Sequence, residues 1–211
     1  MRRLACTVAL VVGATAAPAH ADRYEATLSG GLHGGLARVA QAGAAAVTVP
    51  TFGGSLRLAH AWRNELAWDV QLAGGLTQPA TSADVAAVIQ GRPAQGDVTR
   101  RTATGAIQLG AELRLGSRRI PTLRLALGPQ VRHRPSASIG PLDTLPAETT
   151  VDALASLGLG LDVRLDAHLL VGVVVEAAHA QPLGGGDPLD VVVLSLRVSY
   201  AWYPRIWSPT W

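Results

Sequence analysis

The feature that most constrains this 211-residue chain is a two-residue alternation of apolar and polar side chains. Leu123, Leu125 and Leu127, for example, alternate with polar positions such as Arg124. Successive side chains of a β-strand point to opposite faces, so the pattern predicts strands with one apolar and one polar face. After residue 21, no apolar run reaches the roughly 20 residues that a membrane-spanning helix needs. The chain is therefore expected to be all-β.

The alternation marks about eight strands, each close to the roughly 9–11 residues that cross a bilayer at a tilt. They fall at about residues 24–33, 52–63, 66–77, 104–115, 123–132, 151–164, 169–179 and 192–202. The seventh is the least regular, because Val173, Val174 and Val175 stand in a row. An even number of strands places both termini of the barrel chain on the same side of a membrane.

Short and long connections alternate strictly between these strands. The short ones lie at 63–65, 116–121 and 165–168, and the long ones at 34–50, 78–100, 135–148 and 181–188. Within the second long connection, Val85 to Gln90 is expected to form a brief helix or a strand extension. Short turns at one end and long loops at the other are typical of membrane barrels. The predicted fold is a closed, antiparallel, up-and-down transmembrane β-barrel in one domain.

Residues 1–21 have the character of a cleavable export signal. Arg2 and Arg3 form a basic start, residues 4–17 are almost wholly apolar, and residues 19–21 read Ala-His-Ala, a small-x-small cleavage pattern. This apolar run is too short for a membrane-spanning helix. The mature chain is expected to begin at Asp22, with the barrel over 22–204 and a short tail over 205–211.

Charge and cysteine content exclude several classes of function. All 18 basic residues are arginine, against 15 acidic ones. Without Arg2 and Arg3 the balance is 16 against 15, a net charge of +1, and no nucleic-acid-binding motif is present. The single cysteine, Cys6, leaves with the signal, so no disulfide or thiolate is expected. The absence of lysine fits either a codon bias or a use of arginine forks to bind buried carboxylates.

Aromatic residues collect at the strand ends on the short-turn side, on the apolar face. They are Tyr24, Trp62, Trp68, Tyr200 and Trp202. Tryptophan and tyrosine favour the boundary between membrane and water, so these residues are expected to form an interfacial girdle. At the opposite boundary only Phe52 is available. The alternative is a set of core aromatic residues that share one end of the fold.

The pattern of residues 22–202 resembles that of the small eight-stranded outer-membrane β-barrel proteins, the group of the OmpA membrane domain and OmpX. The last strand, Leu196 to Trp202, looks like the terminal signal read by the barrel-assembly machinery, although Pro204 and a tail follow it. The resemblance implies periplasmic turns, extracellular loops and a monomer in the outer membrane of a Gram-negative bacterium. Its partners would be outer-membrane lipid, lipopolysaccharide and, during insertion, the assembly machinery.

Charged residues on the polar face would point into the barrel. They are Arg57, Asp69, Glu112, Arg114, Arg124, Arg132, Asp152, Asp162, Arg164, Glu176 and Arg197. An eight-stranded barrel is just wide enough for side chains to fill it, so a polar plug without a large pore is expected. The expected pairs are Glu112 with Arg124, Arg57 with Asp69, Arg132 with Asp152, and Glu176 with Arg197. The alternative is an ion path or gate built from the same groups.

The main expectation is a non-enzymatic protein with a structural, envelope or surface-binding role, and no cofactor. One alternative is a lipid A-modifying hydrolase, because His133, Ser136, Ser138 and Glu148 loosely resemble the triad of the lipid A deacylases. The other histidines lack metal-ligand spacing, so no metal site is expected. A second alternative is a soluble, exported, lipocalin-like barrel, which would point its leucines inward and groups such as Arg57 and Arg164 outward.

Overall fold

A computed structural model describes residues 25–40, 45–63, 65–139 and 143–203. The expected signal, the mature start at Asp22 and the tail after Pro204 lie outside these ranges. Twelve strands occupy the described part of the chain: β1 (Ala26–Val39), β2 (Val47–Ala61), β3 (Leu66–Thr77), β4 (Ala80–Ile89), β5 (Arg92–Arg100), β6 (Ala103–Arg114), β7 (Arg119–Arg134), β8 (Ala137–Ile139), β9 (Asp143–Leu145), β10 (Glu148–Arg164), β11 (Leu169–Pro182) and β12 (Leu189–Trp202).

Eight of these strands close into one antiparallel barrel, in the order β1-β12-β11-β10-β7-β6-β3-β2. The first and last strands complete the ring, since Gly31 of β1 lies opposite both Ser55 of β2 and Arg197 of β12. Every other neighbour in the ring is also a sequence neighbour among the barrel strands. The prediction of a closed, up-and-down, eight-stranded barrel is confirmed.

At the end of the barrel that carries the long connections, the strands extend further than the alternation predicted. The expected loop 34–50 contains the end of β1, up to Val39, and the start of β2, from Val47. Sequence reasoning missed this extension because the inward positions Ala37 and Val39 are apolar, which removes the contrast between faces. Gly35 belongs here for a steric reason: a Cβ at that position would overlap the carbonyl oxygen of Val192.

The two central long connections form hairpins of their own. β4 and β5 are joined by Gln90 and Gly91, both with positive φ (51° and 78°), as a two-residue hairpin turn requires. The expected brief element at Val85 to Gln90 is therefore strand up to Ile89, the end of β4, and Gln90 lies in the turn. β8 pairs with β9 in the next long connection. We call these four strands the cap.

The cap has an apolar core that is separate from the barrel. Val85, Ala94, Val98 and Ile139 are buried against one another and join the two hairpins. Ala80, at the start of β4, packs instead among inward-facing barrel residues. The long connections at this end thus form a packed structure.

The faces of the barrel strands follow the predicted orientation. Outward positions hold large exposed apolar side chains, among them Leu32, Leu56, Leu72, Leu109, Leu125, Leu127, Leu194 and Leu196. Inward positions hold buried polar residues such as Arg57, Gln71, Gln108 and Asp152. A soluble, ligand-binding barrel would have the reverse arrangement, so the lipocalin-like alternative is wrong.

In the described part of the chain, no helix is long and apolar enough to cross a membrane.

The short connections lie at the opposite end from the cap. In the turn between β10 and β11, Asp166 Oδ1 accepts hydrogen bonds from the backbone nitrogens of His168 at 2.7 Å and Leu169 at 2.8 Å. These two donors lower the pKa of the Asp166 carboxyl below its ordinary value. The carboxylate thus helps to fix the tight turn that connects the two strands.

Candidate functional site

The centre of the barrel holds a cluster of buried ion pairs around Asp69. Arg57 Nη2 lies 3.0 Å from Asp69 Oδ2 and 2.6 Å from Glu112 Oε2. Arg124 donates from Nη2 to Asp69 Oδ1 at 2.7 Å and from Nε to both carboxylate oxygens at 3.1 Å. The side chains of Asp69 and Glu112 are 0% exposed. These charges come from four strands, β2, β3, β6 and β7.

Arg197 continues the cluster on the opposite wall. Its guanidinium forms a two-point contact with Asp162, with Nε 2.8 Å from Oδ1, and Arg197 Nη1 lies 3.8 Å from Glu112 Oε2. Gly172 of β11 lies opposite Asp162 of β10, and a Cβ atom on residue 172 would overlap the Asp162 carboxylate. The glycine therefore leaves the space that the Asp162–Arg197 pair occupies.

A second group of charges lies toward the short-turn end, around Glu25. Arg164 donates to Glu25 Oε2, and Arg114 Nη1 lies 3.7 Å from Glu25 Oε1. Arg114 Nε also donates to Glu112 Oε1 at 2.7 Å, which links this group to the central cluster. The hydroxyl of Tyr203 donates to Glu25 at 3.1 Å. Sequence reasoning did not include Glu25 in the charge network, yet Glu25 forms ion pairs with both Arg114 and Arg164.

A third group lies near the cap. Arg132 donates from Nη2 to Asp152 Oδ1 at 3.0 Å, and its Nε lies 3.0 Å from Oδ2 as an ion-pair contact. Gln130 donates to the same carboxylate at 3.3 Å. Arg134 Nη1 faces Glu148 Oε2 at 3.6 Å. All eleven residues of the predicted network thus point inward, in three groups at different positions along the barrel axis.

The expected pairs are only partly formed. Arg57 contacts Asp69 and Arg132 contacts Asp152, as the strand pattern indicated. Glu112 and Arg124 are register neighbours, yet they bind other partners.

The expected pair of Glu176 with Arg197 is wrong. Arg197 lies opposite Gly172, four positions from Glu176 on β11, which is about 13 Å along a strand. Glu176 Oε1 instead lies 3.9 Å from Arg124 Nη1.

The lumen changes character between the central charges and the cap. Above the central cluster lies a cavity of about 90 Å³, whose polar lining includes His33, Gln71, Gln108 and Glu176. Beyond it a layer of buried apolar side chains points inward, in addition to the charged Arg132–Asp152 group near the cap: Ala37, Val39, Val49, Leu154, Ala180 and Leu189. Sequence reasoning missed this apolar layer, although its residues occupy the alternate positions of each strand that point inward.

The aromatic residues lie on the outside at the short-turn end. Trp62, Trp68 and Tyr200 are about half exposed (56%, 48% and 54%), and Trp202 is partly exposed. Tyr200 stacks between His168 and Trp202, at centroid distances of 5.5 and 6.3 Å. Tyr24 lies outside the described residues. Phe52 is also outward and 53% exposed, toward the other end of the barrel.

The residues of the hydrolase alternative do not assemble. His133 and Glu148 lie on adjacent strands but on opposite faces, because Thr149 is the register partner of His133 and Arg134 that of Glu148. The His133 ring nitrogen Nδ1 shares a hydrogen bond with the Thr149 hydroxyl at 2.9 Å, outside the barrel. Ser136 and Ser138 are exposed at the loop margin. The triad geometry that the alternative requires is therefore missing from this part of the barrel.

Within the described ranges, no group of three or more His, Cys, Asp or Glu side chains is placed to hold a metal ion.

Solved structures share this architecture at very low sequence identity. Neisserial surface protein A (NspA) superposes with a TM-score of 0.58 at 9% identity, over 84% of this chain and 97% of NspA. Ail, the attachment invasion locus protein of Yersinia pestis, solved in complex with the heparin analogue sucrose octasulfate, gives 0.51 at 13% identity, over 86% of this chain and 100% of Ail. No protein-family model and no curated protein sequence matches the chain. The likeness shows the fold, that of the small eight-stranded outer-membrane barrels.

Proposed function

We propose that this protein is a monomeric outer-membrane β-barrel that forms no large pore and acts through its outer surface or through its contribution to the envelope. One observation carries the proposal: buried arginine–carboxylate pairs fill the inside of a closed barrel whose outside is covered by exposed leucine and valine. A protein in water would leave this apolar surface without a partner, whereas lipid tails cover it.

The charged interior supports a closed lumen. Asp69 and Glu112 are held by arginines from several strands, so the ion pairs cross the lumen rather than line its wall. An eight-stranded barrel has room for side chains only, and the apolar layer around Leu154 and Leu189 blocks the lumen a second time. Water and ions therefore lack a wide continuous path through the barrel.

The cap supports a role at the outer surface. It gives the long connections a buried apolar core of their own, which holds two hairpins in a defined shape. A defined loop structure is what a binding surface needs, because ordering a loop only on binding costs affinity. Ail, one of the proteins with the same fold, was solved with a heparin analogue, and surface binding is likewise our proposal for the cap.

Planar-bilayer recording tests the closed lumen. The purified, refolded protein is expected to show no large stable conductance, because side chains fill its cross-section. A double variant, Asp69→Gly with Arg124→Gly, removes two central side chains and serves as the positive control, with small steps expected. Porin-sized steps from the wild-type protein would refute the plug.

Cell fractionation tests the location. The full chain with its expected signal should appear in the outer-membrane fraction and show heat-modifiable gel mobility, since folded membrane barrels resist detergent until they are heated. Recovery of a folded protein in the soluble periplasmic fraction would contradict the proposal.

A further inference from the structure

Arg100, at the end of β5, is a buried guanidinium with an unusual set of partners. The residue is 8% exposed, and in the described structure no carboxylate lies within ion-pair distance of it. Its Nη2 donates to the carbonyl oxygen of Pro146 at 2.8 Å, while its buried Nε has no hydrogen-bond partner. Burial lowers the pKa of Arg100, and the nearby charge of Glu148 opposes this effect. A buried cation without a counter-ion is costly unless something else pairs with it.

Arg134, the last residue of β7, lies on the other side of the same space. It is 7% exposed and donates from Nη2 to the carbonyl oxygen of Ala40 at 3.0 Å. Its Nε is also buried without a partner. The carboxylate nearest to it, Glu148 Oε2, is 3.6 Å from Nη1, which is longer than a hydrogen bond. Within the described residues, Glu148 is thus the one carboxylate within 4 Å of Arg134, and it is held only loosely.

A cavity of about 270 Å³ separates these groups, between the cap and the rim of the barrel. Arg100 and Arg134 line it together with Glu148, and the apolar walls come from Val85 and Leu145. A water molecule occupies about 30 Å³ of liquid, so the cavity has room for a tetrahedral oxyanion and several waters.

We propose that this cavity is a binding site for a phosphate-class oxyanion, with Arg100 and Arg134 as its ligands and Glu148 as an internal competitor. Guanidinium forks match the geometry of a tetrahedral oxyanion, and charge-assisted hydrogen bonds are the stronger kind. Glu148 has a side chain that is 49% exposed, so it can turn toward solvent when an anion enters. The anion is either free in solution or carried on a phosphorylated lipid headgroup.

Calorimetric titration of the full mature chain with inorganic phosphate tests the site, in a detergent that has neither phosphate nor sulfate groups. Arg100→Gln is expected to weaken binding at least about tenfold, because a hydrogen bond to a charged group is lost. Glu148→Gln is expected to strengthen binding, since it removes the competing carboxylate. Arg101→Gln is the matched control: it removes the same charge from an exposed neighbour and leaves binding unchanged.

The Glu148→Gln result separates a site from loss of folding, because a variant that merely damages the cap cannot bind phosphate more tightly. Heat-modifiable mobility of each variant checks that the barrel is folded. Absence of phosphate binding by the wild-type protein, or equal affinity in the Arg100→Gln variant, would overturn the proposal. It holds or fails separately from the closed lumen, which the conductance measurement addresses.

Nanodiscs with and without lipid A distinguish the two sources of the anion. If lipid A abolishes the phosphate signal, its phosphate monoester occupies the site and the ligand is lipid-borne. If the signal is unchanged, the site takes a free anion. In both cases, the Arg100→Gln variant is expected to lose the signal in the nanodiscs without lipid A, and retention there would contradict the assignment.

Discussion

Replacing Asp69 by asparagine tests whether the central ion pairs are buried. The side chain is 0% exposed and accepts hydrogen bonds from Arg57 at 3.0 Å and from Arg124 at 2.7 and 3.1 Å. Asparagine keeps the shape but removes the negative charge and turns an N–H group toward guanidinium donors. Arg57 would keep Glu112 as a partner at 2.6 Å, whereas Arg124 would keep only Gln108 at 3.0 Å and Glu176 at 3.9 Å.

The expected loss in the free energy of unfolding is about 3–5 kcal/mol, the usual cost of removing one partner from a buried ion pair. With a urea m value of about 2 kcal/mol/M, the unfolding midpoint would fall by about 2 M. This loss is large compared with the roughly 5–15 kcal/mol that stabilises a typical folded domain. The effect depends on burial, because an exposed ion pair contributes only about 0–1 kcal/mol.

Urea unfolding from lipid vesicles, followed by tryptophan fluorescence and gel mobility, measures this change. Asp143→Asn is the matched control, since Asp143 is exposed in the cap, and its midpoint should not move. The double variant Asp69→Leu with Arg124→Met should lose less unfolding free energy than Asp69→Asn alone. The single variant leaves the charged Arg124 without its main partner, whereas the double variant removes that charge as well. A loss below about 1 kcal/mol for Asp69→Asn would refute the reasoning and indicate a hydrated lumen.

Two further substitutions test the outer face and the packing of the lumen. Leu125→Arg places a charge on the outward face in the middle of β7 and should lower the unfolding free energy in vesicles by about 2–4 kcal/mol. Leu165→Arg, in a short turn, should lower it by only about 0–1 kcal/mol. Equal losses for the two variants would contradict the membrane orientation. Gly172→Ala forces Asp162 away from Arg197 and should lower the unfolding free energy by about 1–3 kcal/mol, while Gly105→Ala, with open space around it, should be neutral. Equal urea midpoints for the two alanine variants would show that the lumen is loosely packed.

The closed barrel was predictable wherever the two faces of a strand differ strongly in polarity. On β7, leucines at 123, 125 and 127 alternate with Arg124, so one face is unambiguous and the register of side chains follows. The same alternation identified Arg57 and Asp69 as inward residues that contact each other. Polarity alone was sufficient there because each strand carries both kinds of residue.

Other features depend on information that alternation does not contain. The ends of β1 and β2 were missed because their inward residues, such as Val39 and Val49, are apolar and match the outward ones. The pairing of Glu176 was wrong because contacts across a barrel depend on strand register and tilt, which a single strand does not reveal. The cap was predicted as loops apart from the brief element at Val85 to Gln90, because β5 reads Arg-Pro-Ala-Gln-Gly-Asp-Val-Thr-Arg, which shows no clear alternation of apolar and polar residues.

Site-directed spin labelling along β7 tests the central claim most directly, namely that leucines face lipid and charges face the interior. The expected mature chain has no cysteine, so single cysteines can be placed at 122, 123, 125, 126 and 127 without a background. Labels at 123, 125 and 127 should be relaxed strongly by oxygen, which concentrates in lipid, and weakly by a water-soluble nickel reagent. Labels at 122 and 126 should be shielded from oxygen. The reverse pattern, or access of the nickel reagent to all five positions, would contradict the account.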